Sequence, residues 1–99
     1  MDKEEFLESF NMSKRLIKES KDNFDIQNAV DITYSSFTQI FIDNQEMLSK
    51  KHIKIKSNLN PIASQYRKQA IDRQTPLHNG KEYGLTSINL LKDIIESVF

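Results

Sequence analysis

The stretch DIQNAVDITYSSFTQIFIDNQEML, residues 25–48, determines the class of structure this chain can form. Within it Ile26, Val30, Thr33, Phe37, Ile40, Phe41, Asn44, Met47 and Leu48 recur at intervals of three and four, a period no strand can imitate. The spacing predicts one long helix from about 25 to 50, roughly 39 Å at 1.5 Å per residue. Its β-branched residues lower intrinsic helix propensity, so packing against other elements must hold it. Ile32 and Ile42 sit off the stripe and read either as scattered surface isoleucines or as a second contact face.

Before this helix, Asp2 followed three residues later by Glu5 has the pattern of an N-cap with an acid in the first turn, where the helix dipole favours negative charge. Phe6, Leu7, Phe10 and Ile17 then share a face, which predicts a first helix over about 3–20, interrupted by Ser20-Lys21-Asp22-Asn23. After the long helix, His52-Ile53-Lys54-Ile55-Lys56 alternates, as a short edge strand or a basic linker would. Asn60-Pro61 joins a capping residue to the residue favoured at the first helical position, and Ile62, Ala63, Tyr66 and Ala70 extend a stripe from it. A third helix is predicted over 61–73.

The chain has two prolines and two glycines, all after residue 60. Pro76, Gly80 and Gly84 make 74–86 read as a loop, with Asn79-Gly80 as a turn signal inside it. Thr86 is then the cap of a last helix, with Leu85 and Leu90 stapled across it. Ile88, Leu91, Ile95, Val98 and Phe99 form that helix's core face, and Leu90 and Ile94 fall on the opposite flank. So many apolar residues leave it either central in the protein or shared with another subunit. The predicted fold is therefore all-α: a four-helix, mostly antiparallel bundle in one domain spanning residues 1–99, with one long central helix.

Charge is distributed unevenly. The 99 residues sum to zero, yet between residues 50 and 73 seven bases stand against Asp72 alone, a local charge of +6. Lys50, Lys51, Lys54, Lys56, Arg67, Lys68 and Arg73 form this strip. A neutral total removes the case for a protein that coats nucleic acid, while the strip suits a phosphate or carboxylate partner. It also suits an internal role, folding back on the acids of the first two helices.

No chemistry announces itself. With no cysteine, neither a disulfide framework nor a thiolate metal site can form. His52 and His78 lie outside any spacing that binds zinc, two glycines cannot build a phosphate loop, and no serine sits in a nucleophile turn. Catalytic, cofactor and metal sites are expected to be absent, and Glu4 with Glu8, or Asp22 with Asp25, read as solvated helix surface. No apolar run reaches the ~20 residues of a membrane span, so the chain is expected to be soluble and cytoplasmic. Its abundance of isoleucine, lysine and asparagine points to an A/T-rich genome of bacterial, plasmid or phage type.

The expected function is that of a small non-enzymatic protein-binding protein: an inhibitor, immunity factor, chaperone or assembly subunit. Its partner would be another protein with an acidic surface, met through the basic strip. A second copy would be met through Leu90, Ile94 and Phe99. The alternative is a nucleic-acid-binding regulator using the segment from Lys50 to Arg73, although Tyr66 is the only aromatic between Phe41 and Tyr83 that could stack on a base. In size, predicted helix count and lysine-rich middle the chain resembles the four-helix immunity proteins that protect bacteria from small bacteriocins. That resemblance implies a role in binding and neutralising a partner; phage-encoded inhibitors of host defence are an equally admissible class.

Overall fold

The computed structural model describes residues 1–51 and 61–99, and among these every regular element is a helix. The order is α1 (Lys3–Glu19), α2 (Asn23–Asp43), α3 (Gln45–Lys50), α4 (Pro61–Ile71) and α5 (Leu77–Val98). The all-α bundle predicted from periodicity is the fold. The segment 52–56, predicted as edge strand or linker, and the Asn60 cap lie outside the described residues, as do Lys54 and Lys56.

Each start and stop has a local cause. Asp2 and Glu5 form a capping box, with the Asp2 carboxylate accepting from the Glu5 amide at 2.9 Å. Ser20 ends α1 in extended backbone, its hydroxyl donating to the Leu16 carbonyl at 2.7 Å. Two residues later Asp22 caps α2 by accepting from the Asp25 amide at 2.8 Å, which accounts for this carboxylate pair structurally.

The expected single long helix is broken at Asn44. There the Asn44 amide group donates to the Ile40 carbonyl at 2.7 Å and to the Met1 carbonyl at 3.2 Å. The side chain thus takes up a carbonyl of the last α2 turn, and α3 continues as a short separate piece.

The largest departure is at residues 74–86. Only 74–76 lie outside a helix, and Asn79-Gly80 is not a turn: α5 begins at Leu77, so Thr86 lies mid-helix and caps nothing. Its hydroxyl instead donates to the Glu82 carbonyl at 2.9 Å, and the predicted Leu85–Leu90 staple has no cap to span. The glycines are there for room. A Cβ on Gly80 would stand 3.1 Å from the Ala70 carbonyl oxygen and from the Ile26 side chain; one on Gly84 would meet Ile26 and Val30 at 3.2 and 3.3 Å. Both glycines are buried and allow α5 to lie close against α2, and Gly80 against the end of α4 as well.

α1 and α2 form one antiparallel hairpin and α4 and α5 another. Contacts between the hairpins run in register: Ile26 with Gly80, Val30 with Gly84, Tyr34 with Ser87 and Phe41 with Phe99. α2 and α5 are therefore parallel neighbours. The core comprises Phe6, Phe10 and Ile17 of α1, Ile26 to Phe41 of α2, Leu48, and Ile88, Leu91 and Ile95 of α5. α4 contributes only Ala63 and Ala70; Ile62, predicted for its stripe, is 59% exposed. The body measures 44 × 23 × 17 Å.

Candidate functional site

We call the end where α1 finishes and α2 begins the upper end. Asn23, in the first turn of α2, donates to the Ala70 carbonyl at 2.9 Å, so the end of α4 and the start of α5 also lie there. The lower end holds Asp43, α3 and Phe99: the Met1 amine pairs with Asp43, and Phe99 packs edge-on against Phe41 at 5.7 Å.

This frame disperses the basic strip. Lys50 and Lys51 are exposed at the lower end, beyond the last residue of α2. Arg73 is exposed at the upper end, after the last residue of α4. The 21 residues of α2 separate the two ends by about 31 Å along the axis. Lys68 is exposed on α4 between them. The described bases of the strip are therefore spread along the length of the body rather than gathered at one end.

Arg67 is engaged within the fold. Its Nε and Nη2 both reach Asp31 Oδ1, at 3.0 and 2.8 Å, and its guanidinium lies 5.6 Å from the centre of the Tyr34 ring. The Tyr34 hydroxyl meets Ser87 Oγ at 2.6 Å, and Ser87 donates to the Ala63 carbonyl at 2.7 Å. Because Ser87 has one hydroxyl proton and spends it on Ala63, Tyr34 is the donor in its own bond. Burial pushes the Tyr34 phenol above its usual range, opposed by the Ser87 hydrogen bond and by Arg67. This chain from Asp31 to Ala63 ties α2, α4 and α5 together, and of its members the sequence reading singled out Ala63, as part of an apolar stripe, and Arg67, as a surface base.

α4 covers the stripe of α5 that carries Tyr83 and Ser87: Tyr66 faces Tyr83 with ring centres 6.1 Å apart, and Ala63 accepts from Ser87. Three and seven residues on, the same stripe carries Leu90 and Ile94. They lie beyond the level at which α4 begins, are half-buried, and pack on the core. Leu90 and Ile94 thus share one side of α5, while Phe99, nine residues from Leu90, falls on the other side and packs on Phe41.

His78 is exposed and 3.6 Å from Glu82 on the next turn, an ordinary surface pair, while His52 lies outside the described residues. Among the described residues no group of three or more histidine, cysteine, aspartate or glutamate side chains is placed to hold a metal. Nor is any helix among them long and apolar enough to cross a membrane. Comparison with known proteins finds no family model matching the chain, and no match among curated sequences or solved structures.

Proposed function

We propose that this protein works in the cytoplasm by binding another protein, without catalysis, through the lower half of α5. The observation that carries the reading is the run of Leu90 and Ile94 along the stripe that, among the described residues, α4 covers only as far as Ser87. Apolar side chains continuing a packed stripe past the end of its cover are an anchor for a partner's apolar group. Exposed Lys50 and Lys51 at the same end favour a partner whose rim is acidic, which they would steer more than tighten. Inhibitors, immunity factors and assembly subunits all act by such contacts.

The test is capture of a partner from the native host, followed by a binding titration between the two purified proteins. Leu90→Asp with Ile94→Asp is expected to abolish binding while far-ultraviolet dichroism is retained. Lys50→Glu with Lys51→Glu is expected to slow association and flatten its salt dependence. A purified partner that binds the α5 variant as tightly as the wild type would overturn the reading.

A further inference from the structure

A different surface, the outer side of α1, carries between Glu5 and Lys18 a pattern that is its own complement. α1 buries Phe6, Phe10, Ser13 and Ile17, and the side turned away from them carries Glu4, Glu8, Asn11, Met12 and Arg15, all exposed. The charge on this side changes sign at mid-helix: Glu4, Glu5 and Glu8 occupy the first half, and Lys14, Arg15 and Lys18 the second, with exposed Glu19 at the helix end as the one acid beyond them. Between them Met12 is 46% exposed, one of four large apolar side chains so placed among the described residues.

The two halves cannot satisfy each other within one helix. Side-chain ion pairs on a helix need a spacing of three or four residues, and at that spacing from Glu8 stand Asn11 and Met12, as they do going back from Arg15; going forward from Arg15 stands Glu19, with which it makes no ion pair. Glu8 and Arg15 are seven residues apart, about 10.5 Å along the axis. Among the described residues neither Glu8, Lys14, Arg15 nor the Lys18 ammonium takes part in an ion pair.

A two-fold rotation about an axis through the middle of α1 reverses the helix and lays its acidic half on the basic half of a second copy. We propose that the outer face of α1 pairs antiparallel with a second copy of the same chain, with Met12 beside the axis. Glu8 then faces Arg15 of that copy and Glu5 faces Lys18, while Glu4 and Glu19 fall opposite each other at the rim and subtract from the attraction. The interface is isologous, so every contact occurs twice. Its one apolar anchor is small and its charges are solvated, so the dimer is weak and dissolves as salt rises.

Sedimentation equilibrium of the full chain at about 0.02 M and about 0.5 M ionic strength, where the Debye length falls from about 20 Å to about 4 Å, reads this directly. The wild type is expected to dimerise at the lower value and to be monomeric at the higher. Glu8→Lys alone and Arg15→Glu alone should each weaken the dimer by about tenfold or more, since each reversal is repeated across the axis. An equimolar mixture of the two variants should regain it, because there each reversed charge faces an opposite one. Met12→Asp should weaken it without restoring on mixing. These positions are exposed, and dichroism checks that each variant stays helical. A wild type that is monomeric at low salt, or a mixture that stays monomeric, overturns the proposal. Loss of the dimer in Ile94→Asp would also overturn it, moving self-association to α5; persistence there supports it.

Discussion

At the scale of single residues, two glycines that look alike in sequence differ in what surrounds them. In a helix interior, replacing glycine by alanine gains about 0.5–1 kcal/mol from the backbone alone. At Gly84 the new methyl would meet the ends of Ile26, Val30 and Ile17 at 3.2–3.5 Å, groups that can shift by a few tenths of an ångström. At Gly80 it would press on the Ala70 backbone oxygen and on the Asn23 amide that holds that oxygen, both at 3.1 Å. Gly84→Ala is therefore expected to change stability by less than about 1 kcal/mol in urea unfolding, and Gly80→Ala to lower it by about 1–3 kcal/mol. Tyr34 supplies a prediction in pH. Its folded pKa is raised, chiefly by burial, so the neutral phenol is favoured in the native state. The associated stability is complete below the ordinary tyrosine pKa near 10 and is lost as pH climbs from there through the folded value. Tyr34→Phe should cost about 1 kcal/mol at neutral pH, because Ser87 keeps its bond to Ala63, and should flatten the alkaline decline of the melting temperature.

At the scale of elements, α4 is attached differently from the rest. With only two alanines in the core, it is held by polar ties: Arg67 to Asp31, Ser87 to Ala63 and Asn23 to Ala70. Arg67→Ala removes one tie and the packing of the arginine stem over Tyr34. The Asp31 carboxylate is 41% exposed, so the ion pair itself is worth less than about 1 kcal/mol. Hydrogen exchange in this variant should accelerate first in α4, ahead of α1 and α2. The start of α5 has neither a side-chain cap nor an acid in its first turn, and Asn79→Asp is expected to stabilise it by about 0.3–1 kcal/mol in thermal unfolding. α1, α2 and α4 were legible in the sequence because their apolar residues repeat at helical spacing, and Asp2 and Pro61 mark the starts of α1 and α4; the Asp22 cap of α2 read instead as solvated surface. The first ten residues of α5 were not. Gly80 and Gly84 read as punctuation when no partner is in view, and become intelligible only once α2 is seen pressed against them. Asn44 was hidden for the opposite reason, continuing the apolar spacing while its amide bonded the helix's own carbonyl. The basic strip was legible as composition but not as geometry. Charge counted along a chain carries no record of which end of a helix each residue occupies.

At the scale of the whole molecule, the pairing of Arg67 bears on nucleic acid. Seven bases on one face would release enough counterions to give a salt dependence of binding near −6 in log–log slope. With Arg67 paired to Asp31, no more than six of the seven are left to meet phosphates, a slope no steeper than about −5. Titration of a random duplex at low ionic strength checks this, and a slope near −6 would require Arg67 to leave Asp31. The arrangement as two hairpins has a further consequence. Residues 1–51 hold ten of the fifteen buried apolar side chains among the described residues, yet the floor beneath Ile26 and Val30 is laid by Gly80 and Gly84 of the other hairpin. Synthesised as two separate peptides, 1–51 and 61–99 should each be largely unstructured, and should assemble on mixing into a noncovalent one-to-one complex with the spectrum of the intact chain. The shorter peptide would serve as the template on which the longer one sets.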